Sequence, residues 1–232
     1  MLGFLSWDLA QTVLQHGRKM NIEVILFDLG GVLVEWDGVT PLVNLTNGRI
    51  TPEQARRFWL ESSWVKQFET GQCSDYDFST GVIHDLGLNL TPGEFIKKFS
   101  SWDRGPFKGA PEILKRLQEN YNLYCLSNSN RIHWPHPGIQ ALLSYFIKTF
   151  VSFETGYMKP DPRAFKWALS HIPEKTDRIL FIDDNQECIK TAAELGLIAR
   201  QAKGLSGIKK VLGELCRTTG VEFKSRGDGD SI

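Results

Sequence analysis

The chain has 232 residues, of which 41% are hydrophobic and 23% are charged, and its 27 basic residues balance 27 acidic residues. This length allows one full hydrophobic core and a smaller inserted unit. The net charge of zero does not indicate the excess of basic residues that nucleic-acid binding requires, so we do not expect nucleic acid as a partner. No apolar stretch is long enough to span a bilayer, so we do not expect a membrane as a partner either.

The chain begins with an extension that is followed by a buried strand. Residues 1–20 carry basic residues only after their apolar cluster, unlike a secretory signal, and we interpret them as an N-terminal extension. The apolar tetrad Val24–Phe27 then leads directly into Asp28 and the turn at Gly30 and Gly31. An unbroken apolar run of this kind predicts a strand of a parallel sheet that is buried on both faces.

Residues 38–106 change in character, because helical patterns with clear start signals replace strands. Three capping-box patterns, in which Ser or Thr precedes Gln, Asp or Glu by three residues, begin at Thr51, Ser74 and Thr91. This region predicts a small all-helical cap inserted into a core that comprises residues 21–37 and 107–222. Trp36, Trp59, Trp64 and Phe68 are interpreted as packing within this insert, with a substrate pocket as the alternative.

From residue 107 onward, helices and strands alternate. The predicted elements are a helix at 111–119, a strand ending at Leu126, a helix at 138–145, a strand at 150–153, a helix at 162–170, a strand ending at Ile182, a helix at 186–195 and a strand near Ile198. Such alternation implies right-handed crossovers and a parallel sheet. We therefore predict an α/β fold with a Rossmann-like three-layer core, followed by a polar, glycine-rich disordered tail at residues 223–232.

Polar residues follow three of the predicted strands at the point where each strand ends. These residues are Asp28, Ser127 and the pair Asp183 and Asp184. Ligands of open α/β sheets bind just beyond the carboxyl ends of the strands, so chemistry is expected at this edge. A carboxylate at Asp28, next to a glycine turn, can attack phosphorus and form an acyl phosphate, although a turn-capping role is the alternative.

The other polar residues also allow a functional and a structural interpretation. Asp183 and Asp184 offer the oxygen ligands that Mg²⁺ prefers, or they form an Asx turn before a helix. Ser127 donates to a phosphate oxygen, or it caps a helix. Lys159 is an ordinary exposed lysine, or it is held in place by Pro160 to neutralise phosphate charge and orient Asp28.

Four segments in this order resemble the motifs of the haloacid dehalogenase-like hydrolase superfamily. They are FDLGGVL at residues 27–33, CLSNSN at 125–130, GYMKPDP at 156–162 and FIDDN at 181–185, and the resemblance covers residues 21–215. The phrases LSNSNRIHW and FETGQ are most similar to the branch of capped sugar-phosphate phosphatases that includes bacterial glucose-1-phosphate phosphatases. The resemblance implies that the helical insert closes over the site.

The resemblance also implies roles for individual residues. Asp28 would be the nucleophile and Lys159 a second catalytic residue, while the remaining roles fall into two sets. Phosphate would be bound by Leu29, Gly30, Ser127, Asn128 and Lys159, and Mg²⁺ by Asp28, the carbonyl of Gly30, Asp184 and Asp183 directly or through water. The implied activity is Mg²⁺-dependent hydrolysis of a small phosphorylated metabolite, for example glucose 1-phosphate, through a phosphoaspartate.

Two positions depart from the family pattern. Gly30 stands where the common motif has an aspartate that acts as general acid and base, which contributes on the order of 10²- to 10⁴-fold. One hypothesis is that an anomeric leaving group needs less protonation, with Glu35, Asp37 or water supplying the rest. Cys188 stands where related sequences often have asparagine, so a supporting hydrogen bond is expected to be missing.

Two other functions remain open from the sequence. A dehalogenase would use the same aspartate without metal, but the pair Asp183 and Asp184 favours a metal. A binding or scaffold protein without turnover is supported by Gly30.

Further expectations concern the cell and the rest of the sequence. The four scattered cysteines read as buried reduced thiols and predict a cytoplasmic protein. We expect a monomer or a weak homodimer. His133, Trp134 and His136 are candidates for the site entrance, without an assigned role.

Overall fold

The structure is a computed structural model that describes residues 21–219, with side chains as far as Glu214. The predicted extension at 1–20 and the predicted tail at 223–232 lie outside the described residues. Seven strands are present in this part of the chain: β1 Val24–Phe27, β2 Val34–Trp36, β3 Asp103–Pro106, β4 Asn122–Ser127, β5 Lys148–Val151, β6 Ile179–Asp183 and β7 Ile198–Gln201.

Five of these strands form a parallel sheet in the order β5-β4-β1-β6-β7, which confirms the predicted fold class. The three inner strands β4, β1 and β6 include the apolar tetrads of the sequence and are almost fully buried. Successive residues of a strand point to opposite faces of the sheet. Ile25 and Phe27 accordingly contribute to one apolar cluster, and Val24 and Leu26 contribute to another.

Helices cover both faces of the sheet. They are α6 Ala110–Leu117, α7 Pro137–Leu143, the single turn α8 Ser152–Thr155, α9 Pro162–Leu169, α10 Gln186–Glu194 and α11 Gly204–Thr219, with a 3₁₀ turn at Thr176–Arg178. Helices α6, α7 and α11 pack on the first face, whereas α9 and α10 pack on the second. The result is a three-layer core whose strand ends are left open at one edge.

The helical insert consists of α1 Val39–Leu45, α2 Pro52–Glu61, α3 Ser63–Glu69, α4 Asp75–Leu86 and α5 Pro92–Phe99. Capping boxes form at Thr51, Ser74 and Thr91 as the sequence predicted. The insert has its own apolar cluster, in which the rings of Phe68 and Phe78 stack with centroids 4.2 Å apart. Because Phe68 is buried and Trp59 and Trp64 pack against this cluster, the structure confirms the packing interpretation for these three aromatics.

A two-stranded antiparallel ribbon of β2 and β3 joins the insert to the core. The sequence did not predict this ribbon, because its strands are separated by the whole insert and carry no shared local signal. Trp36 lies at its end, where its ring is 37% exposed and packs edge-to-face against Trp59 with centroids 5.7 Å apart. Among residues 21–219, no helix combines the length and the apolar character that crossing a membrane requires.

Candidate active site

The parallel register brings the predicted polar residues to one edge of the sheet. Phe27 is paired with Ile182 on one side and with Cys125 on the other. Asp28 and Asp183 each follow by one residue and are therefore level, and the Asp28 backbone N–H donates to the carbonyl of Ile182 at 2.9 Å. Three strands of the core thus position one site.

Lys159 lies between two carboxylates of this site. Its ammonium donates to Asp28 Oδ1 at 2.8 Å and to Asp183 Oδ2 at 2.6 Å. The Lys159 side chain is 3% exposed, which excludes the alternative of an ordinary surface lysine. Asp183 Oδ1 also accepts from the backbone N–H of Asn185 at 2.8 Å, so the Asx turn and the ion pair are both present.

The site contains more negative than positive charge. Burial, together with the charge of Asp183, raises the pKa of Asp28 to about 7, although Lys159 opposes the shift. Burial and the charge of Asp183 also raise the pKa of Asp184. Burial works against the charged form of Lys159, but Asp183 and Asp28 outweigh it and raise the pKa of Lys159. Lys159 therefore stays positively charged, and the three carboxylates carry more negative charge than this lysine neutralises.

Three carboxylates are placed so that they could share a cation. Asp28, Asp183 and Asp184 each offer an oxygen, and these oxygens lie within 4.8 Å of one another. Gly31 permits the close approach of Asp184, because a Cβ at Gly31 would lie 2.4 Å from Asp184 Oδ2, and its φ of +73° also favours glycine. Hard carboxylate oxygens and a surplus of negative charge suit Mg²⁺, so the residues present fit this ion.

Backbone amides next to the acidic cluster are available for an anion. The hydrogen bonds of the described residues leave the N–H groups of Leu29, Gly30 and Asn128 unused. Ser127 is buried, and its hydroxyl makes only a long contact of 3.3 Å to the carbonyl of Asn128. These donors follow the ends of the paired strands β1 and β4, and unused N–H and O–H groups in such a place can bind a tetrahedral oxyanion.

The side chain of Asn128 has a different role from the predicted phosphate contact. Its Oδ1 accepts from the backbone N–H of Lys159 at 2.8 Å, and its Nδ2 donates to the Lys159 carbonyl at 2.8 Å. The amide is thus committed on both sides and fixes the backbone that carries the lysine. Only the backbone N–H of Asn128 remains for phosphate.

Gly30, which stands where the family has its acid-base aspartate, has free space beside it. A Cβ at Gly30 would meet nothing within 4 Å, and its φ lies outside the left-handed region. The proposed substitutes Glu35 and Asp37 are engaged elsewhere, because Arg104 donates to Glu35 Oε1 at 2.8 Å and lies 3.6 Å from Asp37 Oδ2. The structure therefore does not support the hypothesis that Glu35 or Asp37 replaces the missing group.

Cys188 lies buried beside the acidic cluster. Burial and the charge of Asp183 raise the pKa of its thiol, although the charge of Lys159 opposes the shift, so the thiol stays protonated. Cys188 therefore adds no charge to the site.

The loop that follows the serine motif connects the core to the helical insert, a role that the sequence did not reveal. Asn130 Nδ2 lies 3.2 Å from Nδ1 of His133, and Nε2 of His133 lies 2.8 Å from the carbonyl of Phe99 at the end of α5. Because the carbonyl can only accept, His133 carries its proton on Nε2 and accepts from Asn130 on Nδ1. Burial lowers the pKa of His133, which keeps the ring neutral in this contact.

A second contact joins the same loop to the insert. The guanidinium of Arg131 lies over the ring of Phe68, 5.7 Å from its centroid, and 3.6 Å from Asp75 Oδ1. The loop is thus held to the insert at two places, within a few residues of Ser127. Of the three proposed entrance residues, His133 is buried in this contact, and the Nδ1 of His136 accepts from Gly138 at the start of α7.

Comparison with known proteins agrees with this geometry. A family profile for haloacid dehalogenase-like hydrolases matches residues 22–196. An enzyme of the haloacid dehalogenase (HAD) family from Bacteroides thetaiotaomicron superposes on this chain with a TM-score of 0.67 at 25% identity, and the match covers 83% of this chain and 98% of that enzyme. Its wild-type complex with magnesium and inorganic phosphate superposes with a TM-score of 0.64 at 27% identity, covering 78% and 94% of the two chains.

A relative among curated proteins is much longer. Drimenol cyclase drtB from Aspergillus calidoustus is 24% identical over 199 residues, which cover 76% of this chain and 33% of the cyclase. The chain therefore spans about a third of the length of that protein.

Proposed function

Because this chain belongs to the haloacid dehalogenase-like hydrolases, we propose that it is a Mg²⁺-dependent phosphatase that hydrolyses a small phosphorylated metabolite through a phosphoaspartate on Asp28. The observation that carries the proposal is the buried ammonium of Lys159, 2.8 Å from Asp28 and beside unused backbone N–H groups. A sugar phosphate such as glucose 1-phosphate is the proposed substrate type. The protein is proposed to act in the cytoplasm as a monomer or weak homodimer.

The proposed metal ligands are Asp28, Asp184 and the carbonyl of Gly30, with Asp183 beside them. Mg²⁺ bound there would offset the repulsion between the carboxylates and the phosphate. The raised pKa values of Asp28 and Asp184 support this assignment, because both groups gain from an added cation. A Bacteroides relative of similar fold has been described in complex with magnesium and inorganic phosphate, which also supports it.

The chemistry of the chain's own residues follows from their positions. A carboxylate oxygen of Asp28 attacks phosphorus, an Asp28–phosphorus bond forms, and the bond from phosphorus to the leaving oxygen breaks. Lys159, Ser127 and the N–H groups of Leu29 and Gly30 stabilise the charge on the phosphoryl oxygens. Water then attacks phosphorus, the Asp28–phosphorus bond breaks, and inorganic phosphate leaves.

Proton transfer is the step for which the chain lacks an obvious residue. With glycine at position 30, the leaving oxygen takes its proton from water. A leaving group that is a weaker base than a primary alcohol, such as an anomeric hydroxyl, needs this proton least. The proposal thus predicts a higher rate for anomeric phosphates than for primary alkyl phosphates, and comparable rates would contradict the argument.

Hydrolysis of an aryl phosphate tests the proposed function. We expect the wild type to release phosphate with Mg²⁺ and to stop with chelator, Asp28→Asn to be inactive in both, and the exposed Asp177→Asn to behave as the wild type. Equal, negligible release from all samples would instead favour a scaffold protein. A panel of phosphorylated sugars, nucleotides and flavin phosphate would then identify the substrate.

A further inference from the structure

The end of the edge strand β7 borders the active site, although it lies outside the four sequence motifs. Gln201 is the last residue of β7 and is paired with Asp183 on β6. The backbone N–H of Ala202 donates to the carbonyl of Asp183 at 2.9 Å. The backbone N–H of Gly204 donates to the carbonyl of Gly31 at 2.7 Å. This short segment therefore connects the acidic pair after β6 to the glycine turn after β1.

The side chain of Gln201 contacts the acidic pair directly. Its Nε2 donates to the backbone carbonyl of Asp184 at 2.8 Å, across 17 residues of sequence. Asp184 also packs against Gly31, where an added Cβ would lie 2.4 Å from Asp184 Oδ2. Since Gly204 holds the Gly31 turn, the same segment fixes both the backbone of Asp184 and the turn against which its carboxylate packs.

Asp184 depends on such restraints more than the other two carboxylates of the site do. The ammonium of Lys159 holds Asp28 at 2.8 Å and Asp183 at 2.6 Å. Among the side chains that the structure describes, none lies close enough to Asp184 to form an ion pair with it. Asp184 is also less deeply buried than Asp183. A carboxylate without a fixed cation keeps more rotational freedom, so the position of its backbone determines where its oxygens can lie.

We propose that Gln201 is a positioning residue for Mg²⁺, because its amide fixes the backbone of Asp184 so that the carboxylate is in place when the ion binds. This inference rests on the proposed function, since it takes Asp184 as a ligand of Mg²⁺. Residues that orient a metal ligand typically change metal affinity by about 10- to 100-fold when they are removed. Gln201 holds the backbone of Asp184 rather than its carboxylate, so we expect an effect at the lower end of this range.

The test measures Mg²⁺ binding to the metal-free protein by isothermal titration calorimetry. Gln201→Met keeps the length of the side chain and removes the donor, so we expect the Kd for Mg²⁺ to rise by about tenfold. Gln201→Ala, which also lacks the donor, should give the same rise. Gln140→Met is the matched control, because the Nε2 of Gln140 also donates to a backbone carbonyl, that of Trp134, at 2.7 Å and at the surface. Its Kd for Mg²⁺ should stay within about twofold of the wild-type value.

Two further measurements separate positioning from a general structural effect. In chelator, the melting temperatures of Gln201→Met and Gln140→Met should fall by the same small amount, at most about 4 °C, because each variant loses one exposed hydrogen bond. With an aryl phosphate, the Mg²⁺ concentration that gives half-maximal activity should rise by about tenfold in Gln201→Met alone. Its kcat at saturating Mg²⁺ should stay within about threefold of the wild type, because the occupied site is the same.

The outcomes separate this inference from the function on which it rests. If the wild type binds no Mg²⁺ and releases no phosphate, the proposed function fails and the role of Gln201 fails with it. If the wild type binds Mg²⁺ and is active, but both Gln201 variants bind the ion as the wild type does, only the positioning role is overturned. An equal loss of Mg²⁺ affinity in Gln140→Met would also overturn it, because the effect would then follow from the loss of any surface hydrogen bond.

Discussion

Replacing the nucleophile is expected to stabilise the metal-free protein while it abolishes activity. Asp28 and Asp183 share the ammonium of Lys159, and Asp184 lies beside them, so Asp28→Asn removes one negative charge from a cluster that holds three carboxylates. Asparagine keeps the shape of the side chain and an oxygen that can accept from Lys159. The variant therefore isolates the cost of holding the Asp28 charge in this place.

The pKa of Asp28 sets the size and the pH window of this effect. It rises from an ordinary value of 3.8 to about 7 in the folded protein. A group with a raised pKa contributes most to stability below its unfolded value, and this contribution is lost as the pH rises through the folded value. The free energy of unfolding of Asp28→Asn should exceed that of the wild type by about 2 kcal/mol at pH 5 and by about 4 kcal/mol at pH 8.

Urea unfolding in the presence of chelator, at pH 5 and pH 8, measures both differences. The exposed Asp177→Asn serves as the control and should match the wild type at both pH values. Saturating Mg²⁺ should reduce the difference in the free energy of unfolding at pH 8, because the cation offsets the negative charge of Asp28 in the wild type. A variant at pH 8 that is no more stable than the wild type would refute the electrostatic account of the site.

Three further changes test other parts of the site. Lys159→Met should destabilise the protein by about 3–5 kcal/mol in urea and abolish phosphatase activity, because it leaves two buried carboxylates unpaired; a loss as small as that of the exposed Lys115→Met would contradict this. Gly30→Asp should raise kcat/KM for a primary alkyl phosphate by about 100-fold or more, because it adds a general acid in open space, whereas Gly30→Asn should not. Burial lowers the pKa of His133, so the contact of its neutral ring stabilises the protein fully at a pH above the ordinary histidine pKa, and this stabilisation fades as the pH falls below that pKa. The free energy of unfolding of the wild type should therefore exceed that of His133→Gln by less at about pH 5.5 than at pH 7.5. A difference that stays constant between these pH values would exclude the neutral-ring contact.

The inner strands and the helix starts could be predicted from the sequence because their signals are local. Val24–Phe27 is apolar at every position since both faces of β1 are covered. Thr51 and Thr91 each sit three residues before the side chain that completes the capping box. Asp28 and Ser127 could be placed at one edge because parallel strands end there together.

Other features arise only when distant segments meet. The ribbon of β2 and β3 pairs Val34 with Pro106, and no pattern in either segment points to the other. The link between Asn128 and Lys159 spans 31 residues and gives the asparagine a positioning role that its motif did not suggest.

The phosphoaspartate is the central claim, and direct observation of the adduct tests it. Crystals or solution samples with Mg²⁺ and beryllium fluoride, which mimics a phosphoryl group on a carboxylate, should carry beryllium bound to an oxygen of Asp28. The adduct should be absent from Asp28→Asn. Beryllium fluoride that never binds Asp28 in a folded, Mg²⁺-saturated wild type would contradict the mechanism.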